Sequence, residues 1–138
     1  MGAWGTGFFE DDGAFDFTDE IESSDQPKET IATAFRAAIA ADYLERDEAN
    51  AVIVAATYVD RCVNGTTFSA RDDADPLDVD TFPERRPDQD LSGLRELAVH
   101  ALHQVTGDHS ELKELWAETD EFEAWQGGIE QLIERLSC

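Results

Sequence analysis

The sequence predicts an all-α fold, an orthogonal bundle of five or six helices, and three observations support this prediction. Apolar residues recur at about 3.6-residue spacing over most of the chain, which is the period of an α-helix. No alternation of polar and apolar residues is long enough for a strand, and no segment is repeated. The chain has 138 residues, of which 41% are hydrophobic, so we expect residues 1–138 to form a single domain around one core.

The first half of the chain predicts three helices. The first covers about residues 11–22, where early acidic residues suit the amino terminus of a helix. The second covers about 27–43 and carries Tyr43 at the end of its apolar face. The third covers about 46–63 and is apolar nearly all round, which predicts a central, buried helix. Gly65 follows it in the position of a left-handed cap.

The second half of the chain predicts the remaining helices. The fourth covers about residues 89–106, with a regular apolar face. The fifth begins at the segment Asp108–Glu111, which has the form of a capping box, and we expect Leu115 and Trp116 to point inward from it. The sixth begins at Asp120 and carries apolar residues at helical spacing to the end of the chain.

Two segments lack a helical pattern. Residues 1–9 are rich in glycine and aromatic residues, which predicts an irregular segment that packs against the region of Trp116 and Trp125. Residues 66–90 contain three of the four prolines and many acidic residues, which predicts a long acidic loop over the surface.

The charge of the chain limits its partners. Its 32 acidic and 10 basic residues give a formal net charge of −22, which opposes binding to nucleic acids and to anionic membranes. Two explanations remain open: a halophilic protein whose carboxylates keep it hydrated in molar salt, or an acidic surface that meets a basic protein partner. Neither a signal peptide nor a membrane span is visible, so we expect a cytoplasmic protein.

The first candidate site is a set of carboxylates in the first predicted helix. Asp12, Asp16 and Asp19 are spaced to share one helix face. Clustered carboxylates raise one another's pKa values and can bind a hard cation or act as an acid and base pair. The competing interpretation is a solvated acidic face with a helix cap, which is common in acidic chains.

The second candidate site lies in the fourth predicted helix. Glu96, His100 and His103 also share one face, and a carboxylate with two imidazoles can bind a transition metal. Their spacing matches no named zinc signature. Because both histidines fall opposite the apolar face, the competing interpretation is that they face water.

Other chemistry finds little support in the sequence. The acidic run Asp72–Asp80 lacks the central glycine and distal glutamate of a calcium loop. Cys62 lies in an apolar helix, where burial raises the pKa of a thiol and makes it inert. No set of nucleophile, base and orienting group can be assembled, so the sequence favours a binding role over an enzymatic one and predicts no cofactor.

Several motifs together resemble a known prokaryotic family. They are the opening segment Met1–Phe17, the alanine-rich Glu48–Ala56, the segment Ser110–Trp116, Trp125 and the closing Ile133–Leu136. In order and spacing these resemble the family catalogued as domain of unknown function 4259. The resemblance implies one small standalone domain, and it implies no reaction, cofactor or catalytic residue.

The sequence therefore leads to two functional hypotheses. The first is a non-enzymatic protein-interaction module with a basic partner, either an immunity- or antitoxin-like protein that masks a basic toxin or an accessory protein. The alternative is a metal-binding protein or a metal-dependent hydrolase that uses the clustered carboxylates and histidines.

Overall fold

The computed structural model describes residues 12–66 and 78–137, and most of these residues are helical. The described ranges contain seven α-helices and one short 3-10 helix. The only β-type pairing within them is an isolated bridge between Leu44 and Ser110. The predicted all-α class is therefore confirmed for these ranges, whereas the orthogonal arrangement and the single-domain organisation stay predictions.

The described helices follow one another along the chain as α1 (Asp12–Ser23), α2 (Pro27–Ala40), α3 (Arg46–Asn64), α4 (Asp78–Arg85), a 3-10 helix (Ser92–Leu94), α5 (Arg95–Val105), α6 (Glu111–Ala117) and α7 (Phe122–Ser137). Six of the seven α-helices correspond to segments that the sequence predicts as helical. The expected number of five or six is too low because α4 was not predicted.

Helix α4 lies inside the stretch 66–90, so the prediction of a loop is wrong for residues 78–85. The local sequence disfavours a helix there, because Pro83 lacks the N–H that would bond to the preceding turn. Tertiary packing compensates for this loss. Val79 and Phe82, one turn apart, are 1% and 0% exposed, and the rings of Phe82 and Tyr58 pack edge to face at a centroid distance of 5.1 Å. Residues 67–77 of the predicted loop lie outside the described ranges.

Helix α3 is the centre of the described structure, as its apolar sequence predicts. It contacts each of the other six α-helices. Every residue from Val52 to Asp60 is buried, because neighbours cover this helix on all sides. It ends at Gly65, which has φ of 75° and donates its N–H to the Arg61 carbonyl oxygen at 3.0 Å. The predicted left-handed cap is confirmed.

Helix α2 is shorter than predicted, and this changes the position of Tyr43. The chain leaves the helix at Ala41, whose φ of −73° and ψ of 135° are extended. Leu44 is buried and pairs with Ser110, so the connecting chain turns toward α6 rather than continuing the helix. As a result Tyr43 is 45% exposed, and its expected place on the apolar face of the second helix is wrong.

Helix α6 has its amino-terminal cap two residues later than the sequence suggests. The cap is Ser110 rather than Asp108, and the Ser110 hydroxyl accepts a hydrogen bond from the Lys113 backbone N–H at 3.3 Å. Leu115 is 41% exposed, so its expected inward position is wrong, because this short helix buries only Leu112 fully.

The aromatic side chains near α6 and α7 form a stack. Trp116 is half-buried and lies parallel to Trp125, with ring centroids 6.0 Å apart. This arrangement agrees with the expectation that Trp116 points inward. The predicted packing of residues 1–9 against these two tryptophans involves residues outside the described ranges.

Candidate functional site

An open groove with a volume of about 580 Å³ lies between α1, α2 and the first turns of α3. Pockets that receive ligands commonly enclose roughly 300–1,000 Å³. The described residues of the floor are small or aromatic and come from all three helices: Phe17, Thr33, Ala34, Ala37 and Ala51. We call this feature the α1–α3 groove.

The groove exists because α2 carries small side chains on the face that borders it. Thr33 and Ala37 lie four residues apart on this face, with Ala34 beside them. A methyl or a threonine side chain leaves the helix backbone close to the surface, so the neighbouring helices stand above it as walls. Phe17 of α1 supplies the aromatic side of the floor.

Acidic side chains surround the apolar floor. Glu20 from α1, Glu29 from α2, and Asp47 and Glu48 from α3 are its charged members, and no described lining residue is basic. Beside the groove, Nε of Arg46 lies 3.9 Å from the Asp47 carboxylate in an exposed pair. Such exposed pairs are weak, so the groove combines an apolar surface with a negative potential.

The wall formed by α1 is tied to the rest of the structure by hydrogen bonds. The Glu22 carboxylate accepts the Tyr58 hydroxyl at 2.7 Å and the Arg85 guanidinium at 2.6 Å. Arg86 donates to the Ser24 carbonyl oxygen at 2.9 Å. Helix α1 is thereby connected to α3 and α4, which favours a groove that is formed before any partner binds.

The other end of the groove, at the start of α3, is also held in place. The Leu44 N–H donates to the His109 carbonyl oxygen at 2.7 Å, and the Glu111 N–H donates to the Leu44 carbonyl oxygen at 2.9 Å. The Glu111 carboxylate then accepts the Arg46 N–H at 2.8 Å, which satisfies a donor in the first turn of α3. These bonds join the α2–α3 and α5–α6 connections.

Tyr43 projects from this junction into solvent. Its hydroxyl donates to the Glu114 carboxylate at 2.8 Å. This hydrogen bond, with desolvation and the negative charges of Glu114, Glu111 and Glu45, raises the pKa of Tyr43 to about 12. The surface beside α3 therefore presents an exposed aromatic ring among three carboxylates.

The structure places the first predicted carboxylate set on α1. The side chains of Asp16 and Asp19 are exposed, and neither is among the described residues that line the groove. Asp12 is the first residue of α1, but its side chain lies outside the part of the chain that is described. A cation site on these three residues stays a prediction.

The second predicted set lies on α5. Glu96, His100 and His103 are all exposed, in agreement with the interpretation that the histidines face water. Glu96 and His100 border a polar hollow of about 730 Å³ beside the end of α7. Within residues 12–66 and 78–137, no three His, Cys, Asp or Glu side chains are grouped so that they could hold a metal ion.

The remaining candidates have simple environments. Cys62 is half-buried on α3, and burial raises the pKa of its thiol to about 11, so the thiol stays protonated near neutral pH. The acidic run that begins at Asp72 lies, up to residue 77, outside the described ranges. None of the described helices is long and apolar enough to cross a membrane.

Sequence reasoning did not find the α1–α3 groove. A signal was present in the row of small residues Thr33, Ala34 and Ala37 beside the buried face of α2. Such a row equally fits a helix surface that faces water or a close helix contact. Only the positions of α1 and α3 show that a hollow lies above it.

Comparison with known proteins gives one result. A family model described as "Domain of unknown function (DUF4259)" matches residues 2–128. The resemblance that the sequence motifs suggest is therefore confirmed. No curated protein and no solved structure matches the chain.

Proposed function

The chain belongs to the domain of unknown function 4259 family, and we propose that it is a non-enzymatic protein-interaction module that binds a basic protein through the α1–α3 groove. One observation carries this proposal: an apolar floor is bordered by four carboxylates and by no described basic side chain. An immunity- or antitoxin-like protein that masks a basic toxin is one form of this function, and an accessory protein with a basic client is another.

The chemistry of the groove supports a partner that presents both apolar and basic side chains. The floor of alanine, threonine and phenylalanine side chains favours apolar groups, whose burial yields about 25 cal/mol per Å². The surrounding carboxylates favour lysine or arginine next to those groups and repel acidic proteins. A net charge of −22 also accelerates the approach of a basic partner.

The composition of the groove supports binding rather than catalysis. Its described lining residues include neither histidine nor cysteine. The hydroxyl of Thr30, which also borders the groove, donates to the Ser24 hydroxyl at 2.9 Å. The lining thus resembles a contact surface more than a nucleophile and base pair.

The proposal can be tested with synthetic helical peptides and paired variants. The first peptide has leucines on one face and lysines and arginines elsewhere, the second has the same composition in scrambled order, and the third carries glutamate in place of the basic residues. We expect the first to bind most tightly in fluorescence anisotropy. The Ala37→Arg variant should weaken its binding about 10-fold or more, because a cation and a long side chain would enter the groove.

The matched control is Ala40→Arg, at an exposed position of the same helix outside the described lining of the groove. It changes the net charge equally, so it separates a specific site from general attraction to an acidic protein. We expect its affinity to stay within about 2-fold of the wild-type value. Equal weakening by both variants, or equal affinity for the ordered and scrambled peptides, would contradict the proposal.

A further inference from the structure

A second hollow adjoins the α1–α3 groove at the first turn of α3. This smaller hollow has a volume of about 220 Å³ and is lined by Glu45, Arg46, Asp47, Glu48 and Glu111. Asp47 and Glu48 border both hollows. The two hollows therefore adjoin and together form one surface, in which Arg46 is the only basic residue among the described lining residues.

Tyr43 lies near the second hollow, because Glu45 and Glu111 of its lining are close to the Tyr43 side chain. Its ring is 45% exposed, and its hydroxyl is held by Glu114 at 2.8 Å. The carboxylates of Glu45 and Glu111 lie close enough to raise its pKa together with Glu114. The backbone next to it is fixed by the pairing of Leu44 with residues 109 and 111. An exposed ring in a fixed position is typical of residues that anchor protein interfaces.

We infer that the basic partner binds as an amphipathic helix with two contacts: apolar side chains in the α1–α3 groove, and an arginine or lysine stacked on the Tyr43 ring. This inference rests on the proposed function. The small residues of α2 allow the ridge of another helix to pack between α1 and α3. The cation is attracted by the π face of Tyr43 and by the carboxylates of Glu45 and Glu111.

Charge argues against a second copy of this chain as the occupant. Two copies that met through this surface would bring Glu29, Asp47 and Glu48 of each chain together, and each copy carries a net charge of −22. Like charges brought together at an interface oppose association. A basic helix neutralises the same carboxylates, so it fits the surface better than a copy of the chain.

The test uses the ordered basic peptide with variants at Tyr43. Tyr43→Phe keeps the ring and removes the hydroxyl, whereas Tyr43→Leu removes both. We expect Tyr43→Phe to bind within about 2-fold of the wild type and Tyr43→Leu to bind about 3- to 5-fold more weakly, as for an exposed cation and ring pair. Peptides in which each basic residue is replaced by glutamine, one at a time, then identify the cation. When glutamine replaces the basic residue that contacts Tyr43, Tyr43→Leu should not weaken binding of that peptide any further. With glutamine at any other position, Tyr43→Leu should still weaken binding.

The outcomes separate the two proposals. If the peptide binds and Ala37→Arg weakens it, but Tyr43→Phe and Tyr43→Leu behave alike at every peptide position, the contact with Tyr43 is wrong and the groove remains. If no ordered peptide binds better than its scrambled control, the proposed function itself fails. Nuclear Overhauser contacts between the groove and residues 1–11 in the free protein, without peptide binding, would show an internal occupant and overturn both. A dimer that is lost in Ala37→Arg would do the same.

Discussion

At the scale of single residues, the hydrogen bond from Tyr43 to Glu114 is the largest cause of a raised tyrosine pKa. A phenol that donates to a carboxylate loses a favourable contact when it ionises, and the new negative charge is repelled by Glu111 and Glu45. Both effects favour the protonated form, so the pKa of Tyr43 rises to about 12. The folded protein therefore binds this proton more tightly than the unfolded chain does.

The first prediction concerns the titration of this residue. Tyr43 should keep its proton through pH 10, where an ordinary tyrosine is half ionised, and lose it near pH 12. Because the folded pKa is raised, the hydrogen bond stabilises the fold fully below about pH 10, and this contribution disappears as pH rises through about 12. The ¹³Cζ chemical shift of labelled tyrosine measures the titration directly.

The matched control for the titration is Glu114→Gln. This variant keeps an acceptor but removes the nearest negative charge, so the pKa of Tyr43 should move down toward its ordinary value. An unchanged pKa in Glu114→Gln would contradict the assignment of the shift to Glu114. Tyr58, whose hydroxyl donates to Glu22, is the other tyrosine and requires separate assignment.

At the scale of elements, a partly buried ion pair joins the central helix to the last described one. Asp60 of α3 is fully buried, and its carboxylate accepts Nε of Arg135 from α7 at 2.8 Å. Asn64 also donates to Asp60 at 2.7 Å and to the Arg135 carbonyl oxygen at 3.2 Å. A buried carboxylate is tolerated only with such partners, so these bonds fix how α7 lies on α3.

The second prediction follows from the asymmetry of buried ion pairs. Arg135→Met should lower the free energy of unfolding by about 2–4 kcal/mol, because the Asp60 carboxylate would stay in the core without its cation, with Asn64 as a remaining partner. The double variant Asp60→Leu with Arg135→Met should recover most of this loss. Urea unfolding followed by circular dichroism measures both. A double variant no more stable than the single one would show that Arg135 acts through packing rather than through charge.

At the scale of the whole molecule, the excess of acidic residues is the main feature that affects stability. With 32 acidic and 10 basic residues, at least 22 carboxylates have no basic residue of their own to pair with. Their mutual repulsion opposes the compact state and favours the unfolded chain, in which the charges lie farther apart. Salt weakens this repulsion because the screening length falls from about 30 Å at 0.01 M to about 3 Å at 1 M.

The third prediction is a strong dependence of stability on salt. The helical circular dichroism and the unfolding temperature should rise as KCl is raised from millimolar to molar concentration, because the repulsion among the unpaired carboxylates is screened. Sucrose at equal osmolarity is the control, since it favours compact states without screening charge. Stability that is independent of KCl would remove the halophilic explanation and favour the acidic surface as a binding surface.

The sequence by itself determines the helical class, the central position of α3 and the ends of several helices. These features depend on neighbours along the chain. Apolar residues all round predict the burial of α3, and Gly65 permits the left-handed backbone that ends it. Features of this local kind can be predicted from the sequence alone.

Only the tertiary structure decides the rest. Helix α4 forms because Phe82 meets Tyr58 from another part of the chain, and this packing outweighs an unfavourable proline. Tyr43 reaches solvent because Leu44 pairs with residues 65 or more positions away. The groove likewise needs three helices to surround one row of small residues. Contacts between residues that are distant in the chain determine these features. The free energy of such contacts cannot be predicted from the spacing of apolar residues along one segment.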